Sequence, residues 1–252
     1  MTLSFKRSVR LLLNRVGWEL HRYRPSADPR AQLSQLLSQG RLDLVLDVGA
    51  NVGQYGTELR ELGYTGRILS FEPIASAHAK LSQIASTDVA WMVAPRCAIG
   101  AVDGEVMINI AGNSVSSSVL PMSSAHSDAE PKSSYVGSEL TPLVTLDQAS
   151  KHIIKPIDRI LLKIDTQGYE WAVLDGATTT LGQVQALSIE ASLVELYTGQ
   201  HLWQSVIERL TSKGWHVWDI QPAFADPRSG QLLQIDLLFV RDNLATDLRA
   251  AA

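Results

Sequence analysis

The chain has 252 residues, 45% of them hydrophobic and 19% charged, with 22 Lys and Arg against 26 Asp and Glu. That length fits one α/β domain, or one domain with a small appendage, and the composition is that of a soluble globular protein with a sizeable core. The net charge of −4 gives no ground for a general nucleic-acid binder, the lone cysteine, Cys97, excludes an intrachain disulfide and fits a reducing cytoplasmic compartment, and no apolar run reaches the ~18 residues of a membrane span.

The first 24 residues, MTLSFKRSVRLLLNRVGWELHRYR, hold six Lys or Arg against one Glu. Val9, Leu12, Leu13, Val16 and Leu20 recur at helical spacing, with Arg10, Asn14, Arg15 and Glu19 between them. An uninterrupted apolar centre and a small-residue cleavage site are both missing, so a secretory leader is not expected. Two readings stay open: a helix packed on the flank of the domain, and a basic amphipathic helix lying on an anionic membrane surface, peripheral at its inner face. Pro25 to Pro29 interrupt the pattern. Arg30 to Gln39 then read as a second helix, with Leu33, Leu36 and Leu37 on one side and Gly40 as its stop. Residues 1–40 are therefore expected as a helical extension to a domain spanning 41–252.

From residue 42 onward, strands and helices alternate. Strands are expected at 42–48, 67–71, 89–94, 105–110, 159–165, 184–192, 215–220 and 234–241, and helices at 53–61, 76–84, around 170–174 and at 203–210. Apolar strands separated by helices imply a parallel sheet covered on both faces. The last two strands are joined by QPAFADPRSGQLL, too short and too rich in Pro and Gly for a crossover helix, so one strand near the end should be reversed. Residues 111–140 are Ser-rich and aperiodic, and read equally as a lid or binding loop and as a disordered insertion. Cys97 reads as a small buried hydrophobe rather than a nucleophile.

The stretch LDVGANVGQYGTELRELG (46–63) places Asp47 at the end of the first strand and Gly49 and Gly53 in the turn before the first helix. In a doubly wound sheet that turn binds ligands. The next strand, RILSFEP, ends in Glu72, where a carboxylate can accept hydrogen bonds from both hydroxyls of a ribose. A dinucleotide loop needs a second glycine where this chain has Asn51. The sequence better suits a nucleoside that bears an amino acid, S-adenosylmethionine, whose carboxylate could face the helix N-terminus and whose ammonium could meet carbonyls or Asp47.

VLDVGANVGQYGTELRELGYTGRILSFEP (45–73) resembles the opening of the FkbM family of S-adenosylmethionine-dependent methyltransferases, and LLKIDTQGYEWAVLDGA (161–177) is similar to that family's segment around the fourth strand. Shorter echoes are CAIG (97–100), NSVSSSV (113–119), IEASLVELYTGQ (189–200) and QIDLLFVR (234–241). The resemblance covers roughly residues 40–241. It implies an α/β, Rossmann-like class I methyltransferase fold: a mostly parallel seven-stranded sheet with an antiparallel C-terminal strand. It also implies O-methylation of sugars or other hydroxylated natural products. Cofactor contacts are expected from Asp47, Gly49, Asn51, Gly53, Tyr55, Glu72, Pro73, Ala98, Ile99 and Asp165, and acceptor contacts from Ser117, Ser118, His126, Tyr197 and His201. Many relatives carry Glu where this chain has Gln167, which puts in doubt any carboxylate role there.

Methyl transfer to an alcohol needs in-line positioning and a base for the departing proton. Asp165 closes the fourth strand at the carboxyl edge of the sheet, and is expected as base or acceptor anchor; holding the cofactor ammonium or capping the next helix are its alternatives. Glu190, one strand further, could share the duty or be a salt-bridged strand end. Glu170 is explained by the dipole of its helix. His126 and His201 could be bases or surface loop residues. Tyr197, Trp203, Trp215 and Trp218 could stack on a sugar, though core packing suits most of them better. Asp165 and Glu190 could offer oxygen ligands to magnesium, but with no further ligand pattern no metal is expected.

The acceptor is thus expected to be a small-molecule or lipid-linked sugar, with no nucleic acid: DTQGYE after the fourth strand lacks the aromatic-prolyl tetrapeptide that holds a flipped base. A nicotinamide-dependent oxidoreductase and a non-catalytic S-adenosylmethionine-binding protein are the competing readings.

Overall fold

The computed structural model describes residues 2–18, 25 and 28–250. They fall into two units, Met1–Leu33 and Ser34–Ala252. Helix α1 spans Thr2–Arg15, and the chain turns after it at Gly17. Glu19 and Leu20, expected to continue that helix, lie outside the described residues. Helix α2 (Pro29–Gln39) starts where Asp28 accepts the Ala31 N–H at 2.8 Å and Pro29 needs no partner for its nitrogen. It buries Leu36 and Leu37.

Then follow β1 (Leu44–Val48), α3 (Gln54–Glu61), β2 (Arg67–Phe71), α4 (Ala75–Ala85), β3 (Trp91–Val93), β4 (Ala98–Ile99), β5 (Gly104–Ala111), α5 (Ser124–Ala129), β6 (Tyr135–Val144), α6 (Leu146–Ser150), β7 (Ile160–Ile164), α7 (Glu170–Asp175), α8 (Thr178–Leu181), β8 (Val184–Ser192), α9 (Trp203–Thr211), β9 (Trp215–Ala225), β10 (Leu232–Arg241) and α10 (Asp242–Ala250). Seven strands form one sheet in the order β3-β2-β1-β7-β8-β10-β9. Neighbours from β3 to β8 run parallel, and β10 is antiparallel to both β8 and β9, the reversal expected from the short C-terminal connection. This is the mostly parallel seven-stranded α/β sheet with a reversed C-terminal strand that the resemblance implied. Its strands are apolar because both faces are covered: Leu44, Leu46, Ile160, Leu162, Leu187 and Ile189 have no exposed surface. Each such side chain contributes about 1.5–3 kcal/mol of burial. Cys97 packs in the same core, where burial pushes its thiol up to about 11, so it is inert at neutral pH.

The strand expected at 105–110 does not join this sheet. It pairs with β6, antiparallel, and β6 pairs with the short β4, making a separate three-stranded sheet. Residues 111–140 are also more ordered than their composition suggested. They contain α5, a 3-10 turn at Pro131–Ser133 and the first half of β6, and bridge to the rest of the domain at Asn109–Ser118 and Met122–Tyr197. The alternation in β6 is masked because most of the strand is exposed.

Candidate active site

Strand registry places the polar groups on one face at the carboxyl edge of the sheet. Ser70, Asp47 and Lys163 are partners across β2, β1 and β7, and Glu190 and Asp236 are partners across β8 and β10. Asp165 directly follows β7, on the face of Lys163 by the two-residue period. Charges in such deeply buried strands are costly, so their grouping points to function rather than packing.

Asp47 has no exposed surface. Its Oδ2 accepts from the Ser70 hydroxyl (3.0 Å), which in turn accepts from the Trp91 indole (3.0 Å). Burial raises the pKa of Asp47, an effect opposed by the Lys163 ammonium 3.5 Å from Oδ1. Lys163 also lies 3.3 Å from Asp165 Oδ2 and donates to the Gly49 carbonyl (3.4 Å). Burial alone would discharge this lysine, but Asp165 and Asp47 outweigh it and keep the ammonium charged. The Tyr55 ring faces the same ammonium at 5.5 Å, and its phenol is kept neutral by burial and by Asp47.

The loop after β1 is closed by Glu72, which is 4% exposed. Glu72 Oε2 accepts the Asn51 backbone N–H (2.7 Å) and Oε1 accepts that of Ile74 (2.8 Å). Burial pushes this carboxyl up to about 7 against the pull of those two donors. Asn51 adopts φ +46°, a left-handed conformation that Asn tolerates better than most residues, and its side-chain amide donates to the Ser114 hydroxyl at 3.4 Å. The loop glycines serve the protein's own packing as well as the turn. A Cβ on Gly49 (φ +81°) would overlap the Asp165 carbonyl, and one on Gly53 (φ +92°) would lie 3.1–3.3 Å from Leu81 and Trp91. The side of each glycine where a Cβ would stand faces protein. Gly49→Ala is therefore expected to cost at least about 2 kcal/mol in urea unfolding, more than Gly53→Ala, because a backbone carbonyl yields less than side-chain ends do.

On the other side of Lys163, Gln167 links two carboxylates. Its Nε2 donates to Asp165 Oδ1 (2.8 Å) and to Glu190 Oε2 (2.7 Å), and Gln234 Nε2 donates to the same Glu190 oxygen (2.7 Å). Burial, then the negative charges of Asp165, Glu170 and Asp236, hold the Glu190 pKa well above the usual carboxylate range. Loss of water and Asp165 push Asp236 up to about 6. The place where Asp165 and Glu190 would share magnesium is thus taken by an amide. Among the described residues no group of three or more His, Cys, Asp or Glu is arranged to hold a metal ion.

The remaining expected residues fall in three places. Ser118 donates to the Gln167 carbonyl (2.6 Å) and Ser117 to that of Ser114 (2.8 Å), so both hydroxyls brace the loop beside the site. Tyr197 is fully buried, and its hydroxyl donates to Gln167 Oε1 (2.7 Å) with the Ser116 carbonyl at 3.1 Å. Pro73 offers its carbonyl to Arg96 (3.0 Å), while Ala98 and Ile99 are buried in apolar clusters, Ala98 in the one that also holds Val52 and Ile74. His126 fits neither reading from the sequence, a base in an open loop or a surface residue. It lies edge-on to Tyr197 and near Phe224, 3% exposed, and burial pushes it down to about 4, so it is a neutral packing group. His201 is exposed and stacks on Trp171 at 3.8 Å. Trp215 is buried in the core, and Trp203 packs against it. Glu170 braces the turn between β7 and α7: its Oε1 accepts from the N–H groups of Thr166 (2.9 Å) and Gly168 (3.0 Å).

Lys163, Gln234 and Asp236 were missing from the expected set. Lys163 had a readable signal, a lone charge in the apolar run ILLKI two residues before Asp165. Asp236 had none, because only the β8–β10 register brings it opposite Glu190.

The donor set suits the cofactor expected from the sequence. Among the described residues, five buried side-chain polar atoms lack a hydrogen-bond partner, and two of them, Asp47 Oδ1 and Asn51 Oδ1, are acceptors in this one loop. Asn51 Oδ1 has no donor and Asp47 Oδ1 only the long 3.5 Å ion pair with Lys163, so both could accept from a ligand with N–H groups and positive charge.

Solved structures of similar fold include TehB from Haemophilus influenzae (12% identity, 84% of this chain and 61% of that chain covered, TM-score 0.47). An rRNA methylase from Streptococcus thermophilus is 12% identical, with 88% and 99% covered and a TM-score of 0.45. Fibrillarin from Aeropyrum pernix, with natively bound S-adenosyl-L-methionine, is 13% identical, with 82% and 74% covered and a TM-score of 0.41. No curated protein sequence matches the chain. The Methyltransferase FkbM domain matches residues 47–217, from the buried Asp47 past Glu72, Asp165 and Glu190, and with well over half of its length inside that match the chain belongs to the FkbM methyltransferase family.

Proposed function

We propose that this methyltransferase moves a methyl group from S-adenosylmethionine to a hydroxyl of a sugar moiety in a glycolipid or another glycosylated product. The observation that carries the reading is the division of the site by Lys163. On one side Asp47, Asn51 and Glu72 form a nucleoside clasp, and on the other Asp165, Gln167 and Glu190 form a carboxylate pair. S-adenosylmethionine would supply a methyl group on a sulfonium, ready for in-line displacement. The second lone pairs of Glu72 Oε1 and Oε2 are suited to ribose hydroxyls, and the Asn51 amide oxygen and the Asp47 carboxylate to an ammonium. Asp165 or Glu190 would take the proton of the acceptor hydroxyl. Carboxylates at 165, 190 and 236 would repel a phosphate backbone, which favours an uncharged polyol over nucleic acid.

The lipid-linked part of the reading rests on the N-terminal unit. Residues 1–24 carry six basic residues and one Glu, while the rest of the chain carries 16 (22 less 6) against 25 (26 less 1). In α1 and just beyond it, Leu11, Leu12, Val16 and Trp18 are exposed. Among the described residues no helix is long and apolar enough to cross a membrane. A basic helix with apolar side chains in solvent fits an anionic bilayer surface, at roughly 1 kcal/mol per basic residue. The full chain is expected to sediment with phosphatidylglycerol vesicles and not with phosphatidylcholine vesicles, and Leu12→Glu with Val16→Glu should abolish it. Equal recovery with both lipids would remove this support.

The deciding experiment for the activity is calorimetry with S-adenosylmethionine and NAD in parallel, followed by mass spectrometry of a sugar-lipid extract incubated with labelled S-adenosylmethionine. Binding of NAD alone, or label on carbon or nitrogen instead of oxygen, would overturn the proposal.

A further inference from the structure

The side chain of Gln167 has every polar atom assigned. Its two N–H bonds go to Asp165 and Glu190, and its oxygen receives the Tyr197 hydroxyl. The two carboxylate oxygens accept, so the NH2 end of the amide faces them and its oxygen faces the Tyr197 hydroxyl at 2.7 Å, a shorter contact than that hydroxyl's 3.1 Å to the Ser116 carbonyl. The backbone is held as firmly. Gln167 sits at φ +55°, an uncommon conformation for a residue with a Cβ. Glu170 grips the N–H groups on either side of it, and Ser118 donates to its carbonyl at 2.6 Å. Local strain kept in place by this many contacts belongs with sites where geometry matters. A glutamate at this position would bring a third carboxylate against two others, an arrangement that requires a shared proton or a cation.

We propose that Gln167 is the positioning residue of this site: its amide, oriented by Tyr197, joins Asp165 and Glu190 into one unit and fills the place that a cation shared by the two carboxylates would take. The inference rests on the reading that those two carboxylates act on the acceptor. The amide does for the pair what a bound metal does elsewhere, setting the separation and orientation of two oxygens, but without drawing their charge into coordination bonds. Tyr197 is thereby a support for the amide rather than an acceptor-stacking ring.

Two measurements on the full chain test this without a known acceptor. The first is carbon-13 NMR titration of the side-chain carboxyl groups in wild type, Q167A and Y197F. Removing the two N–H donors should raise the Glu190 midpoint by at least about one pH unit, tenfold in proton affinity. Y197F should give a smaller shift of the same sign. Glu170, Asp236 and Lys163, which also face Glu190, are present in all three proteins and cannot account for the difference. The second measurement is Mn2+ binding by electron paramagnetic resonance. Wild type should leave the ion free, while Q167E should bind it and lose it again on adding D165N. An unchanged Glu190 titration in Q167A, or Mn2+ binding by wild type that D165N abolishes, would overturn the proposal. Calorimetry with S-adenosylmethionine on the same samples separates the two ideas: a wild type that ignores the cofactor defeats the methyl-transfer reading, while the titration still decides the role of the amide.

Discussion

Glu72→Ala should weaken S-adenosylmethionine binding by ten- to a hundredfold in calorimetry. The magnitude follows from a charged acceptor that would hold two hydroxyls, at roughly 1.5–3 kcal/mol for hydrogen bonds to an ionised group. Glu72→Gln should be nearly as damaging, although it keeps the shape. In wild type each carboxylate oxygen accepts one backbone N–H, from Asn51 and from Ile74. An amide can satisfy only one of them, and its NH2 would face the other donor. The loop itself would then shift, so the effect reaches Asn51 and, through it, Ser114.

The same carboxyl makes a pH prediction whose sign is set by linkage. Burial raises the Glu72 pKa from 4.5 to about 7, so the folded protein binds a proton there that the unfolded chain has released. Stability from this group is fully present below about 4.5 and is lost as pH rises to about 7, by at most roughly 3 kcal/mol. Glu170, also held at about 7 by burial, adds in the same direction. The ligand-free protein should therefore melt at a higher temperature at pH 5.5 than at pH 7.5, and Glu72→Gln should flatten the difference. Binding of a cationic cofactor near pH 6 should release protons, visible as a dependence of the binding enthalpy on buffer. Wild-type affinity in Glu72→Ala, with no proton release, would sink the clasp.

What could be read in advance divides along a physical line. The sheet was legible because its strands are buried on both faces and appear as apolar runs with polar ends, from Leu44–Val48 to Val184–Ser192. The reversed strand was legible from the short, Pro- and Gly-bearing connection before β10. The small sheet was not, since Ala98–Ile99 is two residues long and Tyr135–Val144 is mostly exposed, leaving little pattern. In the candidate site, residues at the ends of apolar strands could be singled out in advance: Asp47, Glu72 and Asp165. Residues that enter through cross-strand register or a bend could not, and Asp236 and Gln234 reach Glu190 only once β10 is known to run antiparallel beside β8. Asn51 looked like a departure from a dinucleotide loop. Its left-handed backbone and its N–H to Glu72 show it instead as part of the closure. His126 misled for the opposite reason, because a polar stretch of sequence concealed a short helix that turns His126 and Ala129 inward.

Asp165→Asn is expected to lower kcat by about 10²- to 10⁴-fold while the S-adenosylmethionine Kd stays within a few-fold of wild type, the range that removal of a positioned base produces. The side chain is 36% exposed, so an acceptor hydroxyl can reach it, and the Lys163 ammonium lies 3.3 Å away. Asparagine keeps the volume but sets an NH2 against either the Lys163 ammonium or the Gln167 amide, both donors. Glu190→Gln tests the alternative. Burial and the charges of Asp165, Glu170 and Asp236 hold the Glu190 pKa well above the usual carboxylate range. That shift favours the neutral, donating form, which would orient the acceptor oxygen while Asp165 takes the proton. On that division Glu190→Gln should raise KM more than it lowers kcat, and Asp165→Asn should do the reverse. The double variant should fall short of the product of the two single effects, because Gln167 binds both carboxylates and each substitution already disturbs the other. Strict additivity would mean that the two act separately, and a larger kcat loss in Glu190→Gln than in Asp165→Asn would exchange their roles.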